Sequence, residues 1–190
     1  MKRAAATRVL AERLTDQVVV SNLGQASLDL QHISDRALTY YTFGSMGQCS
    51  AIALGIALSR PDARVICLDG DGSLLMNLGI LCTVATVAPP NLALVIWDNE
   101  SHMTTGGQPT ATAFRSSIAG LARGAGIEKV VEPRNEEELE RICERILAED
   151  GPFVVPVKID RGFAEGRLER DMIGYKLRFM KAIAALPAVS

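Results

Sequence analysis

Residues 64–73 read RVICLDGDGS. The first five, 64–68, are short, partly β-branched and apolar on both faces, as a strand covered by helices on both sides of a parallel sheet would be. Asp71, flanked by Gly70 and Gly72, then stands where that strand ends and a helical pattern at 74–87 begins. The alternation continues outward in both directions. Residues 17–21 (QVVVS), 92–97 (LALVIW), 127–131 (IEKVV) and 153–159 (FVVPVKI) read as further strands. Helical patterns occupy 50–58, 113–124 and 136–148, the last with Leu139, Ile142, Cys143, Ile146 and Leu147 on one stripe. Strands and helices alternating at this spacing make right-handed βαβ units. The expected fold is α/β: three layers, α/β/α, doubly wound around a mostly parallel sheet.

The 190 residues are expected to form a single domain. Residues 1–14 read as a short amphipathic helix that starts the fold. Residues 161–190 read as a C-terminal helical extension, with a helix at 167–185 packed outside the sheet or against a partner. With 20 basic and 22 acidic residues, the chain has no electrostatic footprint for nucleic acid or an anionic membrane. Its longest apolar run, 51–58, is too short to span a bilayer, and Arg8, Glu12 and Arg13 interrupt any signal-peptide core. Cys49, Cys67, Cys82 and Cys143 have no metal-ligand spacing and lie among apolar neighbours. Buried free thiols and a reducing, cytoplasmic compartment are the expectation.

Ligands of open parallel sheets bind at the carboxyl ends of the strands, and three unusual segments fall there. Residues 44–47 (GSMG) lead into a helix of small residues, although Cys49 stands where a GxGxxG motif needs its third glycine. In residues 70–73 (GDGS), Asp71 suits a phosphate-bound Mg²⁺ and the Gly72 and Ser73 amides suit phosphate oxygens; a helix-capping Asp is the plainer reading. Residues 98–102 (DNESH) come directly after the next strand. Adjacent parallel strands would set Asn99 beside Asp71, and the Ser101 carbonyl would complete a three-oxygen set suited to magnesium.

Residues 70–73 followed by 98–102 resemble the thiamin diphosphate (ThDP) signature of the pyruvate decarboxylase and acetolactate synthase superfamily. The resemblance runs over residues 18–108 and continues by layout. Within the superfamily, GSMG, DGDGSLLMNLG and DNESHMTTGGQPT are most similar to the sulfopyruvate decarboxylase β-subunit branch, with the phosphonopyruvate decarboxylases close to it. The resemblance implies the pyrophosphate-binding (PP) domain of a 2-oxo acid decarboxylase. Its metal ligands would be Asp71, Asn99 and the Ser101 carbonyl, holding Mg²⁺. Gly70, Gly72 and Ser73 would hold the diphosphate, with Gly24 and Gln25 as weaker candidates. Met46, between Ser45 and Gly47, would be the apolar wedge under the cofactor, and the Gly44 carbonyl would accept from its pyrimidine amino group.

His102 and Met103, at the end of the metal loop, join the cofactor-binding set. His102 has two readings, a group facing the substrate or shuttling a proton, and a loop residue that orders residues 103–107. Residues 104–107 resemble a cover over the cofactor, or an ordinary surface turn. Arg115 and Arg123 read as solvated, His32 as a surface residue and Trp97 as core at a strand end.

The family also needs a glutamate on a pyrimidine-binding (PYR) domain. Glu12, Glu100 and the glutamates of 136–140 are in the wrong places for it. The resemblance therefore implies a separate PYR-domain α subunit, an α2β2 or higher hetero-oligomer, and a small 2-oxo acid substrate, with 3-sulfopyruvate to sulfoacetaldehyde as the reaction. Phosphonopyruvate decarboxylation, acetolactate-type carboligation and a non-catalytic cofactor-binding module are the alternatives. A nucleotide-binding Rossmann protein would need the missing glycine motif and an acidic residue after its second strand.

Overall fold

The computed structural model describes residues 1–164 and 171–187. Its elements run α1 (Arg3–Ala11), β1 (Val18–Ser21), α2 (Gln25–Ser34), β2 (Thr39–Tyr41), α3 (Cys49–Ser59), β3 (Val65–Gly70), α4 (Asp71–Leu75), α5 (Gly79–Val87) and β4 (Leu92–Asp98). After them come β5 (Ser101–His102), β6 (Gln108–Pro109), α6 (Ile118–Gly124), β7 (Lys129–Val130), α7 (Glu136–Ala148), β8 (Phe153–Lys158) and α8 (Met172–Ala184). Six strands form one sheet in the order β2-β1-β3-β4-β8-β7, and every pairing in it is parallel. The chain winds from β1 out to β2, then returns past β1 to β3, so strand order reverses between β1 and β3. A cleft at the carboxyl ends is the geometric consequence.

Both faces of the sheet are covered, which is why the central strands carry apolar residues without alternation. One face packs Val18, Val20, Cys67, Leu94 and Ile96 beneath α3, α5 and α6. The other packs Val19, Ile66, Leu68, Val95 and Phe153 beneath α1, α2 and α7. The three-layer expectation holds, and the sheet is parallel throughout. Asn135 caps α7 by accepting from the Glu138 amide at 2.8 Å, and this helix starts and stops where its periodicity predicts.

Three of the expected elements change, and so does the burial of one cysteine. The helix expected over 74–87 is two helices, because residues 76–81 turn through i→i−3 bonds: Met76 donates to Ser73 and Leu81 to Leu78. The helix expected over 113–124 begins only at Ile118, where the Ser117 hydroxyl accepts from the Gly120 amide. The strand expected over 127–131 keeps only Lys129 and Val130, since the Ile127 amide is spent on Ala122 in closing α6. Cys49, Cys67 and Cys143 are buried, but Cys82 is exposed. Among the described residues no helix is long and apolar enough to cross a membrane.

Of the C-terminal helix expected over 167–185, residues 167–170 lie outside the described residues. The remainder, α8, packs against the β2 edge. Tyr175 meets Tyr41 and Phe43 at ring-centroid distances of 5.4 and 5.9 Å, and Phe179 meets Tyr40 at 5.4 Å. Arg178 donates two 2.7 Å bonds to Asp35, and these hold the Asp35 carboxyl below its ordinary 3.8. A carboxyl lowered in the folded state stabilises above its ordinary value, and that contribution disappears as pH falls through the lowered one. The pair is partly exposed, so it is worth at most about 1 kcal/mol. Asp35→Asn is therefore expected to speed tryptic cleavage at Lys176 and Lys181 by a few-fold at neutral pH. The two proteins should converge in acid.

Candidate active site

Strands β1, β3 and β4 end at the cleft, and each contributes the residues just beyond its last hydrogen-bonded pair. The register pairs Gly70 with Trp97. The next residues along, Asp71 and Asp98, therefore lie side by side, two buried carboxylates at adjacent strand ends. Asp71 Oδ2 accepts from Thr110 Oγ1 at 2.6 Å, and Thr112 Oγ1 lies 3.1 Å from the same oxygen. Thr112 also reaches Asp98 Oδ1 at 2.8 Å, and Lys158 Nζ lies 2.9 Å from Asp98 Oδ2. Burial pushes the Asp71 carboxyl above its ordinary value, and the neighbouring Asp98 adds to that push.

Beyond Asp98, the Asn99 side-chain oxygen accepts from the Ser101 amide at 3.0 Å and closes a tight turn. Glu100, at φ 59°, points away from the cleft towards Lys158 at 2.7 Å and Arg161 at 3.6 Å. Lys158 holds the Glu100 carboxyl below its usual range. Ser101 and His102 form β5, which pairs antiparallel with Gln108 and Pro109 of β6. This hairpin was not legible from the sequence pattern. It carries the chain back to Thr110 and Thr112, so one excursion supplies both the Asn99–Ser101 turn and the hydroxyls on Asp71.

The turn at 44–47 is tied to the same point. The Gly47 amide donates to Ser73 Oγ at 3.0 Å, and Asn77 Nδ2 donates to the Gly47 carbonyl at 3.1 Å. Met46 is thereby held at a set distance from Asp71. Deeper, Asp69 accepts from Ser50 Oγ at 2.8 Å, and burial raises its carboxyl.

Ten of the expected residues meet in the cleft. Gly70, Asp71, Gly72 and Ser73 form its floor. Asn99, Ser101, His102 and Met103 line one side, with Met46 and Gln25 elsewhere on the wall. Gly24, Gly44 and Ser45 are not among its walls. Gly24, at φ 86°, abuts Thr104, while Gly44 is exposed at φ 67° and Ser45 bonds to the Phe43 carbonyl. Sequence reasoning missed Asn22, directly after β1, and Arg3, a buried cation 2.6 Å from Asp29 that no motif announces. Trp97 is buried core, as expected, and also lines the cleft.

The cleft is shaped for a polar group. A Cβ at Gly72 would run into the His102 ring, so only glycine lets that ring pack against the buried backbone at the helix start. Ser101 Oγ and Trp97 Nε1 are buried without partners among the described residues. The carboxylate of Asp71, the amide oxygen of Asn99 and the Ser101 carbonyl are all hard oxygen donors, the type magnesium takes. Residues present and group expected therefore fit.

Residues 22–157 match the family model described as thiamine pyrophosphate enzyme, C-terminal TPP binding domain. The sulfopyruvate decarboxylase subunit beta of Methanocaldococcus jannaschii is 38% identical over 168 residues, covering 88% of each chain. A phosphonopyruvate decarboxylase of Streptomyces viridochromogenes is also 38% identical over 163 residues. That match spans 86% of this chain but only 41% of the relative. In structure, the benzoylformate decarboxylase of Polynucleobacter necessarius superposes with a TM-score of 0.71 at 18% identity, over 86% of this chain and 34% of that one. At that identity the likeness concerns the fold.

Proposed function

The chain belongs to the thiamine pyrophosphate enzymes through their C-terminal TPP-binding domain, and from that premise we propose that it is the ThDP- and Mg²⁺-binding β subunit of a heteromeric 2-oxo acid decarboxylase. Its reaction is 3-sulfopyruvate plus a proton to sulfoacetaldehyde and CO₂. The observation that carries the reading is the meeting of Asp71 with the Asn99–Ser101 turn at neighbouring strand ends, in a chain similar over 88% of its length to a sulfopyruvate decarboxylase β subunit.

Asp71, Asn99 and the Ser101 carbonyl hold the magnesium in this reading. The Gly72 and Ser73 amides take the diphosphate, with Gly24 and Gln25 beside it. Met46 supports the cofactor from below, and the Gly44 carbonyl orients its pyrimidine. Bound ThDP supplies an electron sink for the pair left behind when CO₂ departs. The chain's own residues bind, orient and exclude water around that sink. His102, against Gly72, is suited to facing the substrate or holding a proton near it.

A catalytic glutamate is assigned to a PYR-domain α subunit. Among the described residues Glu100 is engaged by Lys158 and Arg161, and Asp71 is held by two hydroxyls. The assembly is then a dimer of αβ pairs or larger, and this chain a single PP domain with α8 as its extension. A cytoplasmic enzyme fits the reading.

The test is CO₂ release from 3-sulfopyruvate by the chain with a sulfopyruvate decarboxylase α subunit, with and without ThDP and Mg²⁺. Turnover that needs both subunits and both cofactors supports the reading. A stable complex active only on phosphonopyruvate or pyruvate would move the substrate, and a complex inert to ThDP would leave the function without support.

A further inference from the structure

Thr110 and Thr112 lie beyond the motif that marks the metal loop, and neither is one of its expected ligands. Both are buried, and both set their hydroxyl oxygens against Asp71 rather than against their own backbone. Thr112 does more. Its oxygen lies 3.1 Å from Asp71 Oδ2, 2.8 Å from Asp98 Oδ1 and 2.8 Å from Thr110 Oγ1. It thus stands between two carboxylates that the register of β3 and β4 forces together.

We propose that Thr112 is a positioning residue for the metal site: its hydroxyl braces Asp71 against Asp98 and so holds the two ligand-bearing strand ends at one separation. The inference rests on the cofactor reading above. Both hydroxyls converge on Oδ2, and no side chain among the described residues donates to Oδ1. The ligand oxygen is thereby selected and aimed. Asp98, the other end of the brace, directly precedes Asn99. It is fixed in turn by Lys158 and by the Glu100 amide at 3.2 Å. Arg161 donates to the Asn99 carbonyl at 3.1 Å, so the far side of the turn is held as well. Magnesium demands near-ideal octahedral geometry, and outer-sphere partners that orient its ligands are worth about 10- to 100-fold in affinity. Without the brace, the like charges of Asp71 and Asp98 favour a wider gap.

The experiment is a Mg²⁺ titration, in saturating ThDP, of the chain assembled with a sulfopyruvate decarboxylase α subunit, read by fluorescence of this chain's single tryptophan, Trp97, in the cleft wall. Thermal midpoints without cofactor are recorded alongside. Thr112→Val keeps the shape and removes the hydroxyl; it is expected to raise the half-saturating Mg²⁺ about tenfold or more. Thr112→Ser is expected to recover the wild-type value to within about threefold, which a merely structural role would not require. Should Thr112→Val fail to fold, Thr112→Ala carries the same expectation. Wild-type Mg²⁺ dependence in a folded hydroxyl-free variant would overturn the proposal and leave the cofactor reading intact. Absence of Mg²⁺-dependent ThDP binding in the wild-type αβ assembly would overturn both.

Discussion

Asp71→Ala is expected to abolish CO₂ release by the assembled enzyme and Mg²⁺-dependent ThDP binding, while leaving the cofactor-free chain as stable as before or more so. The loss comes from the ligand's place. A carboxylate bound to a divalent cation is worth several kcal/mol, which is about 10³-fold or more in rate. The unharmed fold comes from electrostatics. Burial beside Asp98 holds the Asp71 carboxyl above its ordinary 3.8. For a carboxyl raised in the folded state, the unfolded chain gives up its proton first. Stability then falls as pH climbs from the ordinary value through the raised one. That fall should be present in the wild-type apo chain and reduced in Asp71→Ala. Melting curves between pH 4 and 8 check it. A variant that melts far below wild type at neutral pH would make Asp71 a structural residue and remove the reason for assigning it to the metal.

Gly72→Ala carries the second large effect. The added Cβ would strike the His102 ring and lie 3.1 Å from Thr110 Cγ2. His102 can swing away, but Thr110 is held to Asp71 at 2.6 Å and gives less readily. Overpacking of this kind costs roughly 1–3 kcal/mol. It is expected to push the β5–β6 hairpin off the helix start that would hold the diphosphate. Calorimetric titration with ThDP and Mg²⁺ should show affinity lower by about 10- to 100-fold, the same energy expressed as binding. Unchanged affinity would mean that the hairpin yields freely and that the packing of His102 against Gly72 does not shape the diphosphate site.

These two residues were legible because strand ends in a parallel sheet are predictable places. Once 64–68 and 92–97 read as neighbouring strands, Asp71 and Asn99 had to emerge together. Central β3 and β4 carry that certainty because they are buried on both faces. The edge strands do not share it. β2 is three residues long, and β7 loses Ile127 to the closing turn of α6. The break between α4 and α5 was hidden because both halves are apolar, and only tertiary contacts such as Asn77 to the Gly47 carbonyl distinguish them.

Within the site, residues adjacent in sequence to the motif were found, and residues returning from a distance were not. Arg3 arrives from the first helix, and Thr110 and Thr112 arrive through a hairpin of two-residue strands. Such short pairings leave no period to read. Their side chains are ordinary threonines until the fold sets them against Asp71.

The most direct measurement is a crystal structure of the αβ assembly with ThDP and Mg²⁺. The account predicts an octahedral ion at about 2.0–2.1 Å from an Asp71 oxygen, the Asn99 side-chain oxygen and the Ser101 carbonyl, with diphosphate oxygens completing the shell against Gly72 and Ser73. Diphosphate bound elsewhere, or an ion that leaves Asp71 and Asn99 untouched, would contradict it.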